Sequence, residues 1–153
     1  MPQAVVRVQA GDFDPGAELD LLLDRTSGAG GIGCFIGIVR GEAGGRPISA
    51  MTLEHYPGMT ERAVLAIAEE AAERWHLLGT TVVHRVGRLL PGQRIVLVLA
   101  AAWHRAPALE ATSFLIDWLK TKAPFWKKEL FTDGSASWVA ARTGDDEAAS
   151  RWR

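Results

Sequence analysis

The chain lacks most of the features that would assign it quickly. It holds one cysteine, Cys34, in 153 residues, so neither a disulfide nor a Cys-rich zinc site can form within one copy, and a reducing compartment is expected. Its charge nearly cancels, with 17 Lys and Arg against 18 Asp and Glu. That balance excludes a chain-wide field for nucleic acid, and any anion site must come from local clustering. No window approaches the ~20 apolar residues of a membrane span. The N-terminus, MPQAVVRVQAGDFD, lacks the charged segment and long apolar core of an export leader, so the expected location is cytoplasmic and away from membranes. There is no internal repeat and no low-complexity tract. What is present is 48% hydrophobic residues, enough for the core of a single domain over 1–153, with a polar tail at 143–153 expected to be loosely held.

Alternation predicts a first strand over 4–9, and an Asp-Pro start with Leu19, Leu21, Leu22 and Leu23 predicts a short helix over 12–24. The glycines between Ser27 and Gly31 precede a strand, 33–40. A phosphate-cradling loop needs a following helix and a Lys-Ser/Thr signature, so these glycines read as a turn. The strands 33–40 and 48–56, joined by the flexible segment 41–47, suggest a long antiparallel hairpin with a mobile loop. Thr60 is a good N-cap for a helix whose stripe is Ala63, Val64, Ile67, Ala71 and Trp75. Strands 80–86 and 94–102 flank a turn at Pro91-Gly92, and Thr132-Asp133-Gly134 precedes a last strand, 137–142. The order β-α-β-β-α-β-β-α-β predicts an α+β domain with helices packed on a mainly antiparallel sheet.

The stretch over 103–129, WHRAPALEATSFLIDWLKTKAPFWKKE, carries most of the functional signal. Pro107 suits a first helical turn, and Ala108, Ala111, Leu115, Trp118 and Leu119 recur at helical spacing. Ala123 precedes Pro124, so the helix should stop near Lys122 and Phe125 to Lys128 should form a turn or short extended piece. His104 and Arg105 fall at the helix N-terminus, where unpaired N–H groups favour an anion, although an exposed turn with a snorkelling Arg explains them equally well. Lys120, taken alone, is explained by the helix dipole and Asp117; Lys127 and Lys128, taken alone, by a solvated charge run. Together with Arg40 these cations could converge on a phosphorylated small molecule or a carboxylate, and a lysine desolvated beside other cations gains a use as nucleophile or proton carrier. Cys34 reads as a buried small hydrophobe, and His55 and His84 as structural strand residues without metal-ligand spacing.

The runs MTLEHYPGMTERA, VVHRVGRLLPGQ, WHRAPALEA and DWLKTKAPFWKKE resemble the large, catalytic subunit of the molybdopterin synthase family, over nearly the whole chain. The resemblance implies an α/β hammerhead-type fold and a homodimer at the centre of a heterotetramer, flanked by small ubiquitin-like sulfur-carrier subunits with Gly-Gly C-termini. It implies sulfur transfer from the carrier's C-terminal thiocarboxylate to cyclic pyranopterin monophosphate, forming the molybdopterin dithiolene, with no cofactor and no metal. By the same resemblance Lys120 and Lys127 are the catalytic pair, and His104, Arg105 and Arg40 contact substrate, as do Ile38, Val39, Lys128 and Glu129. Ile38 stands where a Lys is often found, Ala106-Pro107 replaces small polar residues, and Leu109 replaces an aromatic; none touches the two lysines. The competing readings are a binding module for a ubiquitin-like tail without turnover, and an unrelated phosphate-ester or acyl-transfer enzyme.

Overall fold

A computed structural model of the protein describes residues 3–139 and 143–152. Strands β1 (Gln3–Gln9), β2 (Gly31–Ile38), β5 (Gly79–Arg85) and β7 (Arg94–Ala102) form one sheet in the order β1-β5-β7-β2. Only β1 and β5 run parallel; β5–β7 and β7–β2 are antiparallel. Every residue of β5 is buried, because this sheet is covered on both faces. Successive side chains of a strand point to opposite faces, and the packing follows that rule. Val82, Val96, Val98 and Ala100 face helices α2 (Met59–Trp75) and α3 (Arg105–Thr121), whereas Val83, Leu97 and Leu99 face Phe13 and Leu22 beside α1 (Pro15–Arg25). Each such aliphatic side chain contributes ~1.5–3 kcal/mol through burial.

The second sheet contains β3 (Glu42–Ala43), β4 (Arg46–His55), β8 (Phe125–Phe131) and β9 (Ala136–Val139), with β6 (Gly87–Leu89) paired to β4. All of these pairings are antiparallel. Mixed helix and mainly antiparallel sheet make this an α+β fold, as expected. Several local expectations are corrected. The strands expected to pair across 41–47 lie in different sheets: β2 pairs with β7, and β4 pairs with β8. The connecting segment is a tight hairpin of its own, with Gly44 and Gly45 at φ 58° and 79° bridging Ala43 and Arg46. Such angles are open to glycine without steric cost. The second correction is β8, a seven-residue strand where a turn or short extended piece was expected at 125–128.

Helix α1 starts at Pro15, later than the 12–24 expected, and Asp14 of the expected Asp-Pro start caps it, its carboxylate accepting from the Ala17 N–H at 3.2 Å. In α2 the N-cap is Gly58, at φ 84°, and the Glu61 carboxylate accepts from the Gly58 N–H. Thr60 instead links two turns. Its hydroxyl accepts from the Tyr56 N–H and donates to the Pro124 carbonyl at 3.1 Å, tying the start of α2 to the α3–β8 turn. Helix α3 lies directly on β2, where a Cβ added to Gly33 would stand 2.3 Å from Thr112 Oγ1 and 2.5 Å from the Ala108 carbonyl oxygen. The last expected strand is β9, described over Ala136–Val139; residues 140–142 of the expected 137–142 lie outside the described residues. Where a loosely held tail was expected, Thr143–Ser150 form α4. Trp152 then packs edge-on against Trp75 and Phe114 at 5.5 and 5.7 Å between ring centroids, and Arg151 pairs with Asp117 at 3.1 Å.

Candidate functional site

The two ends of α3 form two separate cationic centres. At its C-terminal end, Lys120 lies one residue before the helix finishes, and the chain turns at Pro124 into β8, where Phe125 and Lys127 point back to the same side. The result is a cavity of about 130 Å³ at the junction of the two sheets. Its walls are Ile116, Leu119, Lys120 and Thr121 of α3, Phe125 and Lys127 of β8, Gly37 and Ile38 of β2, His84 of β5, Ile95 and Val96 of β7, with Leu53, Ala123 and Val139. Two lysines thus reach an otherwise mostly apolar pocket from different elements.

The end of β2 is shaped by a register shift against β7 between Gly37 and Ile38. Gly37 permits it, since a Cβ there would stand 2.7 Å from Val96 Cγ1. The irregularity turns Ile38 outward, 46% exposed, onto the cavity rim. Val39 points the other way, buried with Met51, Leu53 and Leu89, and its N–H and C=O pair with Gln93 and Gly92 at 2.9 Å. It therefore reaches the site only through packing. Arg40 follows, exposed, beyond the cavity wall.

His84, which the sequence presents as a structural strand residue, lines the same cavity. Its Nδ1 stands 2.8 Å from the Arg85 carbonyl, an acceptor only, so that nitrogen carries the proton and donates. The ring stacks on Phe125 at 3.9 Å between centroids and 16° between planes, while His55 stacks on the same phenyl ring at 6.5 Å. Burial first, then the charges of Lys120, Lys127 and His55, pushes the imidazole pKa down to about 4, against the opposing effect of the Arg85 carbonyl bond. His84 is a neutral group facing two cations at neutral pH. No local pattern in VVHRV marks it, because PFWK lies opposite it in space and not in sequence.

Strand alternation separates the neighbouring charges. Lys127 shares its face with Phe125 and lines the cavity, whereas Lys128 lies on the opposite face, its ammonium 5.6 Å from the Trp138 ring centroid. Glu129 is buried at 6% exposure, four residues beyond Phe125 and off the cavity wall. The site expected from sequence is therefore brought together in part: Lys120, Lys127 and Ile38 share one cavity, and Val39, Arg40, Lys128 and Glu129 surround it.

His104 and Arg105 form the second centre. His104 is the N-cap of α3, with extended φ −137° and ψ 158°, and Arg105 opens the helix; both side chains are exposed. They stand over the start of β2, where a Cβ on Gly31 would lie 3.7 Å from the Arg105 Cα. From His104 to Lys120 a helix rise gives ~24 Å. The strand beneath, from Gly31 to Ile38, spans roughly the same distance. Within one copy, the His-Arg pair does not fold back towards the lysines.

The segments LEHYP and APFWK, far apart in the sequence, meet here: Tyr56 packs edge-on against Trp126 at 4.5 Å, alongside the Thr60–Pro124 bond and the His55–Phe125 stack. No helix among the described residues is long and apolar enough to cross a membrane. Residues 8–122 match the family model described as MoaE protein. The molybdopterin synthase catalytic subunit of Cereibacter sphaeroides is 54% identical over 147 residues, covering 96% of this chain and 99% of that one. A solved structure described as molybdopterin biosynthesis MoaE protein from Burkholderia ambifaria superposes with a TM-score of 0.83 at 49% identity, covering 97% of each chain. The molybdopterin synthase structure from Staphylococcus aureus gives a TM-score of 0.79 at 26% identity, covering 87% of this chain and 95% of that one.

Proposed function

Because this chain belongs to the MoaE protein family, we propose that it is the catalytic subunit of a molybdopterin synthase, a sulfurtransferase acting on cyclic pyranopterin monophosphate. The sulfur comes from the C-terminal thiocarboxylate of a small ubiquitin-like partner, whose Gly-Gly tail is narrow enough to thread a pocket. The thiocarboxylate sulfur bonds to a substrate carbon as a C–O bond at that carbon breaks and its oxygen leaves; water then cleaves the acyl–sulfur bond, which returns the tail as a carboxylate and leaves the sulfur on the pterin. A second round supplies the second sulfur of the dithiolene. The reaction belongs in the cytoplasm, where a lone Cys34 stays reduced.

The observation that carries this reading is that Lys120 and Lys127 reach one cavity from two different elements. Their charges attract the anionic thiocarboxylate and stabilise negative charge as the tetrahedral intermediate forms, in surroundings where apolar walls strengthen each interaction. His104 and Arg105 supply the donors that suit a cyclic phosphate, with Arg40 as a further contact. Since ~24 Å of helix separates the two centres in one copy, the His-Arg pair is contributed by the second copy of a homodimer. That dimer forms the centre of a heterotetramer with one small partner on each flank. Of the remaining residues, Ile38 shapes the rim, Val39 packs behind the end of β2, Glu129 is buried within β8, and Lys128 serves the outer face of β8.

The direct test mixes the purified protein with thiocarboxylated partner and the pterin precursor and follows dithiolene formation. Lys120→Ala is expected to lower turnover by roughly 100-fold or more, the scale for losing a donor to developing charge. Wild-type turnover in that variant would refute the assigned role. Binding of the partner without any product would instead favour a module that has kept its groove and lost catalysis.

A further inference from the structure

We propose that His84 is a positioning residue of the lysine cavity: held through Nδ1 by the Arg85 carbonyl and clamped against Phe125, its imidazole offers Nε2 as the acceptor that sets where the ammonium groups stand. The inference rests on the lysine cavity being the reaction site. A lysine side chain has four rotatable bonds and a compact charge, so a rigidly held acceptor in the same pocket narrows where its ammonium can stand. A neutral imidazole acceptor orients an N–H without cancelling the positive potential that draws the anion in.

Three features suit His84 to this role. Its tautomer is fixed, since the Arg85 carbonyl can only accept and the Nδ1 proton is committed to it at 2.8 Å. Its plane is fixed, since Phe125 covers one face at 3.9 Å and β5 is buried along its whole length. Its charge is fixed as well: the groups facing it are Lys120, Lys127 and His55, all of them cations or potential cations, and burial adds to their effect. Phe125 is also two residues before Lys127 on the same face of β8, so the ring that clamps His84 belongs to the strand that presents the lysine.

Two substitutions separate this role from general support of the fold. His84→Asn keeps a donor where Nδ1 stands and removes the acceptor where Nε2 stands; His84→Gln places an amide near the Nε2 position. In the full-length protein, nitrogen-15 spectra should show the Nδ1–H tautomer of His84, and titration of the lysine side-chain amines should show lower pKa values for Lys120 or Lys127 in His84→Asn, with recovery in His84→Gln. In the complete enzyme, His84→Asn should reduce kcat by roughly 10-fold or more, the scale of one charge-assisted hydrogen bond, with KM for the partner little changed. His84→Gln should recover much of that loss. An Nε2–H tautomer, unaltered lysine titrations, or equal kcat in His84→Asn and wild type would overturn the proposal. Should the wild-type protein form no dithiolene, the sulfurtransferase reading falls, and the tautomer and lysine titrations still decide the role of His84. If His84→Asn fails to fold, the wild-type tautomer and the His84→Gln titrations decide it.

Discussion

Replacing Gly33 by alanine tests whether α3 is held by direct contact with β2. The added Cβ would stand 2.3 Å from Thr112 Oγ1 and 2.5 Å from the Ala108 carbonyl oxygen, whereas non-bonded heavy atoms settle near ~3.5 Å. Helix and strand must therefore separate locally by ~1 Å, which takes them out of the packing that buries Ala108, Ala111 and Leu115. Overpacking of this kind costs ~1–3 kcal/mol, and a backbone obstacle places Gly33→Ala towards the upper end. With a urea m-value of ~2 kcal/mol per M, the unfolding midpoint should drop by roughly 1 M at unchanged m. Thr112→Ala in the same chain removes the hydroxyl that donates to Ala108 at 2.8 Å and relieves the nearer contact, but the carbonyl remains. It should rescue the midpoint only in part. An unchanged midpoint in Gly33→Ala, or full rescue by Thr112→Ala, would refute the contact geometry. Because α3 carries a cationic centre at each end, the same variant should also lose turnover before it loses its fold.

Acid should weaken the fold through His84. The unfolded ring protonates near its ordinary 6.5 and the folded ring near about 4, so stability is complete above the first value and falls between the two as the unfolded chain takes up the proton. That gap corresponds to ~3 kcal/mol, and urea unfolding at successive pH values should show a smaller acid loss in His84→Gln than in wild type; equal slopes would contradict it. Trp152 should anchor the C-terminal segment: its indole N–H donates to Asp117 Oδ2 at 2.6 Å and its ring packs on Trp75 and Phe114. Trp152→Ala is expected to cost ~2 kcal/mol by the same unfolding measurement, with no loss beyond a few tenths if the segment contributes nothing.

The elements legible in the sequence were those whose burial follows a simple period. The stripe through Ala108, Ala111, Leu115 and Leu119 located α3, and the run over 94–102 located β7 because both faces of that strand are covered. Strand β8 was illegible because Lys127 and Glu129 point inward with Phe125 and Phe131, so polar residues occupy the positions that an alternation rule assigns to apolar ones. The division into two sheets was hidden because local patterns give a strand's faces and not its partners, and the Gly44-Gly45 hairpin imitated a long flexible connection. Of the site, the cations were visible as residue types, and Lys120 and Lys127 line one cavity. Their separation from His104 and Arg105 required the helix to be seen lying along β2. His84 could not be singled out, since a histidine in a fully buried strand reads as core until Phe125 and the lysines are placed around it.

The claim that one reaction site takes its lysines from one copy and its His-Arg pair from another is open to a mixing measurement. A Lys120→Ala chain and an Arg105→Ala chain, each inactive alone, are co-expressed with different tags, and the mixed dimer is assayed with thiocarboxylated partner for dithiolene formation. If the site is shared between copies, each mixed dimer holds one site with both defects and one intact site, and turnover returns to roughly half the wild-type value per dimer. If each copy builds its own site, every site in the mixed dimer carries a defect, and activity stays at the level of the single variants.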